Sequence, residues 1–333
     1  MPTAEALKDI KQAGPVVIRH PLPKDVEEKL KITPDSAAMH KWNELNGAPG
    51  ALVGGIEAVP GGWRQRYKSG AIYVDTKYRT RYVYGAIGDR YDGIGGPQSW
   101  LGFPTSDEQP MSENGRATTF ANGTIYFWPD VGPIEINNVV VHYTGLACAG
   151  VTNELSASDE PYVVIGVVSP QGESTVRSQI YSKVQAGQGR PDWVEIYRGP
   201  PLGITISTLL MEHDEDDPDK YKEAMEKSVE AAGAGLDTAI ALIPGIGPPL
   251  ALVCAPLIAA VAPKIGDALN DLLGLTDDDL GQDTMHLTAK QMIVLATHTP
   301  VQYDKTVPFK VGTPLFHGQT STYAVHYGLD PAQ

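Results

Sequence analysis

Residues 114–132 read NGRATTFANGTIYFWPDVG, and inside them Thr124–Trp128 is a short β-prone run bounded by turn residues. The same pattern stands fifty-three positions earlier. Gly62, Tyr67, Gly70, Ile72 and Tyr73 recur as Gly115, Phe120, Gly123, Ile125 and Tyr126, and Ala71–Val74 is the matching run. Further upstream Trp42-x-x-Leu45 recurs as Tyr91-x-x-Ile94, and Leu52 as Leu101, at an offset of 49. The difference of four fits an insertion in the second copy around Thr105-Ser106-Asp107-Glu108. Five matches at one offset mark an internal repeat, and glycine-bounded runs make each unit a small β module.

The second copy, GGPQSWLGFPTSDE (95–108) followed by residues 114–132, resembles an LGFP repeat, with Leu101-Gly102-Phe103-Pro104 as the naming tetrapeptide. In the first copy GAPGALVGG (47–55) stands in its place, a degenerate version. The resemblance covers roughly residues 39–136 and implies secreted or envelope proteins that anchor to cell-wall polysaccharide. The N-terminus, MPTAEALKDIKQAG, has no basic segment followed by an apolar run, so no secretory signal is expected within it. Residues 1–38 form an N-terminal arm ahead of the repeats.

A glycan offers apolar ring faces and hydroxyl edges, which flat aromatics and polar side chains suit. Aromatics at fixed offsets in a small repeat are first of all core. Trp63, Trp100 and Trp128 break the repeat, aligning with Arg116, Ala51 and Asp75, so they are the best ligand candidates. With Arg64, Phe103 and Arg116 they make the expected glycan-binding set.

Beyond Ile136 the charge changes. Residues 1–136 carry 15 basic and 16 acidic groups, while residues 137–333 carry 11 and 24. β-rich runs at Asn138–Tyr143, Tyr162–Val168, Val176–Ser182, Trp193–Tyr197 and Gly203–Leu210 resume at Met285–Leu287, Met292–Leu295, Thr306–Val311 and Tyr323–Tyr327. Their spacing predicts an antiparallel sandwich over 137–333. The expected fold is therefore mainly β with an α insertion: a β-repeat module, then a β-sandwich carrying a helical hairpin at about 218–275.

That insertion holds 26 residues without a formal charge, Thr238 to Pro263. Pro244, Pro248, Pro249 and Pro256 divide it, and a helix from Leu250 to Ala262 would rise only about 20 Å against about 30 Å of hydrocarbon. Ile258, Val261, Ile265, Leu269, Leu272 and Leu273 follow helical spacing. The hairpin is expected to pack on its own sandwich or in an oligomer. The alternative is entry into a membrane through Ile243, Ile246, Leu250 and Leu252, as in a pore-forming toxin.

Acidic clusters flank the hairpin: LLMEHDEDDPDK (209–220), LTDDDLGQD (275–283) and the pair Asp159-Glu160. Carboxylates gathered from loop tips offer Ca2+ its preferred oxygen ligands. Asp159, Glu160, Asp214, Asp216, Asp217, Asp277, Asp279 and Asp283 are the candidate metal ligands. The other reading is a solvated acidic surface with helix N-caps. The segments SDEPYVVIGVV (158–168), LMEHDEDDPD (210–219), DDDLGQD (277–283) and GQTSTYAVHYG (318–328) resemble an uncharacterised bacterial and fungal β-sandwich family. It implies no activity, only that the acidic loops belong to one module.

With 26 Lys+Arg against 40 Asp+Glu the chain carries a net charge of −14, which argues against a general nucleic-acid binder. Cys148 and Cys254 form neither a CxxC motif nor a disulfide framework. No HExxH, GxSxG or P-loop is present, and eight histidines form no close metal pair. Glycan hydrolysis by paired carboxylates stays a further alternative, since their separation is a property of the fold. The leading expectation is a noncatalytic, lectin-like glycan-binding protein.

Overall fold

A computed structural model describes residues 31–153, 158–213, 219–241, 256–273 and 279–332. The fold is mainly antiparallel β, and among the described residues no sheet closes into a barrel.

Each repeat is a helix followed by a four-stranded meander. In the first, α1 (Pro34–Glu44) starts with a reciprocal cap: the Thr33 hydroxyl accepts from Ser36 N–H, and Thr33 N–H donates to the Ser36 hydroxyl. Strands β1 (Leu52–Val59), β2 (Gly62–Tyr67), β3 (Gly70–Asp75) and β4 (Thr80–Val83) follow in sequence order. In the second, α2 (Gly85–Gly93) precedes β5 (Gln109–Pro110), β6 (Arg116–Thr119), β7 (Thr124–Trp128) and β8 (Gly132–Ile136). The two offsets now have a cause. Leu45 and Ile94 are the C-caps of the two helices; Tyr67, Ile72, Tyr73, Ile125 and Tyr126 are buried strand residues, and Phe120 is buried just after β6 in a bridge to Pro104. Leu52 and Leu101 are not structural equivalents. Leu101 is fully buried, whereas Leu52 lies on the outer strand β1 with 57% of its surface exposed. The first copy lacks the tetrapeptide that turns this leucine inward.

The sandwich begins one residue after β8. One sheet has the order β11 (Gly172–Arg177), β10 (Pro161–Ser169), β13 (Ile204–Glu212), β14 (Asp279–Leu287). The other has the order β12 (Gly189–Gly199), β9 (Asn138–Gly150), β18 (Thr322–Ala332), β17 (Val311–Gly312). A small hairpin, β15 (Gln302–Asp304) with β16 (Val307–Phe309), packs beside the second sheet. Val139, Val141, Tyr143 and Leu146 of β9 alternate inward to meet Val163, Ile165, Ile206 and Leu210. Met111, Tyr126, Trp128 and Ile134 of the second repeat join the same hydrophobic cluster, so the repeats and the sandwich share one core.

Strands β10 and β13 are buried along their whole length, on both faces. Their outer face is covered by α3 (Asp219–Ala241) and α4 (Ala262–Leu273). Tyr221, Met225, Val229, Ala232 and Leu236 form a stripe at helical spacing on α3. With Ile258, Val261 and Ile265 they cover Tyr162, Val164, Leu209 and Met211. Gly166 makes the close approach possible, because a Cβ there would lie 2.5 Å from Val229. The described arms of the hairpin thus pack on the sandwich. Residues 242–255, with Ile243, Ile246, Leu250 and Leu252, lie outside the described residues. Among those described, no helix is long and apolar enough to cross a membrane.

One expected strand is a helix. Met292–Leu295 belongs to α5 (Ala289–Thr297), which opens on a reciprocal cap between Thr288 and Gln291. The Thr-x-x-Gln spacing was present in the sequence and outweighs the β-prone Ile293-Val294 pair. The expected run Val176–Ser182 also shifts: β11 covers Gly172–Arg177, and the chain leaves the sheet where Ser178 N–H donates to Val163 O.

Candidate functional site

The tetrapeptide Leu101–Pro104 sits where the two repeats meet. Leu101 enters the core they share with Tyr73, Ile87, Tyr91 and Ile125. Gly102 takes a left-handed φ of +71°, and its carbonyl accepts a 2.5 Å hydrogen bond from the Tyr91 hydroxyl. Phe103 meets Tyr73 edge-on at 5.8 Å and presses on Gly61, while Pro104 bridges to Phe120. The four extra residues of the second copy grip the first repeat. Thr105 O accepts from Arg81 Nε at 2.7 Å. The two Asp107 oxygens accept from Tyr82 N–H and Lys41 Nζ, both at 2.7 Å. Glu108 accepts from the Tyr84 hydroxyl at 2.9 Å. The insertion is the bolt of the joint.

Three depressions surround this joint. A cleft of about 320 Å3 lies between β3, β4 and α2, lined by Tyr73, Tyr84, Asp89 and Asp92. Burial pushes the Tyr73 hydroxyl up to about 12, with Asp92 adding and Arg64 opposing. Tyr84 is also pushed up to about 12, by burial and then by its bond to Glu108. Both therefore stay O–H donors at neutral pH. A second cleft, about 380 Å3, opens between the β3–β4 turn and the tetrapeptide, lined by Asp75, Arg79, Arg81 and Phe103. A shallower groove of about 410 Å3 follows the β6–β7 turn, with Thr119, Asn122, Thr124 and Asn137 along it. Trp100 stands beside that groove, 47% exposed. Its ring rests on Gly123, where a Cβ would come within 2.8 Å of it. Asn122 Nδ2 donates to Trp100 O at 2.9 Å and holds the turn against it.

Compared with known protein families, residues 53–99 and 101–142 match the LGFP repeat. The chain carries two LGFP repeats. No curated protein matches the chain. LGFP repeats are a cell-surface repeat family.

The six residues expected to bind glycan do not converge on one spot in the LGFP module. Trp100 faces solvent beside its groove, and Phe103 walls the second cleft. Arg64 faces α2, paired with Glu57 at 2.8 Å and Asp92 at 3.5 Å, and Glu57 is held below the usual carboxylate range by it. Trp63 lies on the opposite face of β2, half-buried near α1, its ring parallel to Tyr78. Arg116 is exposed beside Glu108 at 3.6 Å. Trp128, contrary to expectation, has no face open to a ligand: it is fully buried, donates from Nε1 to Ser112 O at 3.1 Å and packs in the core shared with the sandwich. It breaks the repeat because only the second copy abuts the sandwich. Its counterpart Asp75 has no such neighbour and instead caps the β3–β4 turn through Lys77 and Arg79 N–H. Arg79, Arg81, Tyr84 and Asn122 were not singled out from the sequence. Nothing in their spacing separates them from ordinary surface residues.

In the sandwich, Asp159 is fully buried and engaged by protein donors. Its carboxylate accepts from Thr152 N–H, from the Thr152 hydroxyl at 2.8 Å and from the Tyr323 hydroxyl at 2.7 Å. Glu160 N–H donates to Glu212 at 2.7 Å. Asp279 caps Gly281 N–H at 2.7 Å, and burial raises both Asp279 and Asp283. Asp214, Asp216, Asp217 and Asp277 lie outside the described residues. Among the described residues, no group of three or more His, Cys, Asp or Glu side chains is placed to hold a metal ion. The Cys148 thiol is buried and raised by that burial, while Cys254 lies outside the described residues.

Proposed function

We propose that the LGFP module binds carbohydrate noncatalytically, with Trp100 as the stacking platform. The observation that supports this reading is the position of Trp100. A repeat-breaking indole stands half-exposed with its ring against Gly123, which lines a groove together with Thr119, Asn122, Thr124 and Asn137. An apolar ring face beside hydroxyl and amide groups suits a sugar ring, whose faces are apolar and whose rim is polar. The sandwich, joined to the module through a common core and the Lys290–Asp130 ion pair at 2.7 Å, presents it on a surface glycan or cell-wall polymer.

The test is a pull-down of the intact chain on insoluble cell-wall polysaccharides, paired with a glycan array. Trp100→Ala is expected to weaken binding at least about tenfold, equivalent to about 1.4 kcal/mol, with an unchanged thermal transition. Absence of wild-type binding, or full binding by the variant, would overturn the reading.

A further inference from the structure

We propose that the cleft between the β3–β4 turn and the tetrapeptide selects an anionic sugar, with Arg81 reading the negative charge. This rests on the carbohydrate reading of the LGFP module and specifies its ligand class. Arg81 donates from Nε to Thr105 O and from Nη1 to Thr80 O, both at 2.7 Å. These carbonyls fix the guanidinium without neutralising it. Among the described residues no carboxylate pairs with it. A guanidinium has five N–H donors, so with two engaged the others remain for a ligand.

The neighbouring charges do not cancel it. Arg79 Nε is matched by Asp75 Oδ2 at 2.7 Å. The other Asp75 oxygen accepts from Lys77 and Arg79 N–H, at 2.8 and 2.9 Å. Asp75 is held down by those bonds against the opposing effect of its burial. The cleft wall therefore carries two guanidinium groups against one carboxylate. Phe103 adds an apolar wall beside them, and Thr76 a hydroxyl. At about 380 Å3 the cleft falls in the range of about 300–1,000 Å3 where small-molecule sites lie.

An aromatic wall next to an uncompensated, pre-oriented fork suits a ring bearing a planar or tetrahedral anion. Carboxylate and phosphate share that chemistry. The chain as a whole repels polyanions at a net charge of −14, so attraction here is local and not the result of a general basic field.

The experiment titrates the intact chain with three oligosaccharides of equal length: a uronate oligomer, a neutral glucan and a phosphodiester-linked glycan. The expected result is at least tenfold tighter binding of an anionic oligomer than of the neutral one at low salt. Arg81→Gln should abolish that preference, and Arg81→Lys should retain part of it. Hydrogen exchange at Thr105 and Tyr82 reports whether the joint stays closed, and Arg81→Lys replaces Arg81→Gln as the deciding variant if it opens. Preference for the uronate or for the phosphodiester arm supports the proposal and identifies the anion. Equal binding of all three, with loss in Trp100→Ala, overturns the proposal and leaves the carbohydrate reading standing. An anion preference undiminished in both Arg81 variants with a closed joint also overturns it. No binding in any arm removes both.

Discussion

Removing the Asp159 side chain tests what the buried carboxylate does. In Asp159→Ala, Thr152 N–H, the Thr152 hydroxyl and the Tyr323 hydroxyl lose their common acceptor, all of them in the sandwich interior. A buried donor left without its acceptor costs about 1–3 kcal/mol. Two effects reduce the sum: the burial penalty of the carboxylate disappears with it, and water can enter the space it leaves. A net loss of about 4 kcal/mol is expected. For a unit the size of the sandwich that lowers Tm by about 8–16 °C. Asp159→Asn is the gentler variant. Its oxygen still serves Thr152, and the Tyr323 hydroxyl can turn to accept from the new amide, so about 1–2 kcal/mol is expected. The assay is urea and thermal unfolding followed by circular dichroism, with calcium and with chelator. Both losses should be the same in the two conditions. A loss in Asp159→Ala below about 1 kcal/mol would refute the network argument. A loss that appears only with calcium would show that Asp159 holds a cation.

Asp283 lies opposite Thr208, whose hydroxyl bonds Tyr327, and burial raises its carboxyl. The folded chain therefore holds this proton more tightly than the unfolded chain, and stability falls as pH rises from the ordinary aspartate value of about 3.9 through the raised one. Asp283→Asn should be more stable than the wild type in urea at pH 7, with the difference vanishing at pH 3. Tyr91→Phe leaves the Gly102 carbonyl without its buried donor and should cost about 1–3 kcal/mol, read as faster hydrogen exchange across Leu101–Phe103. Gly166→Ala places a methyl 2.5 Å from Val229 and 2.8 Å from Met225, so α3 must shift at a cost of about 1–3 kcal/mol. Limited proteolysis should then cut α3 several-fold faster, and an unchanged rate would argue against its tight seating on the sheet.

Much of the repeat was legible because its glycines and buried aromatics recur by backbone necessity. The Trp42/Tyr91 and Leu45/Ile94 pairs mark the helices, and the Gly70/Gly123 pair marks a turn too crowded for a side chain. The sandwich strands were readable from β-prone runs, and the second hairpin arm from helical spacing. Met292–Leu295 has the apolar run of a strand, but the Thr288–Gln291 cap makes it a helix. The site was less legible. Trp100 and Trp128 look alike as departures from the repeat, yet one faces solvent and the other fills a core.

By itself the sequence determined the internal duplication, the mainly β character and the helical insertion. These follow from local periodicity and turn chemistry, which depend on near neighbours along the chain. Only the tertiary structure decided which departures from the repeat are surface and which are joint. Trp128 is buried because the sandwich lies against the second copy, and Asp107 is a bolt because Lys41 and Tyr82 come to it from the first. Arg81 is held by the carbonyls of Thr105 and Thr80, and among the described residues no carboxylate pairs with it. Burial and charge compensation depend on residues distant in sequence, so a single chain read in order does not display them.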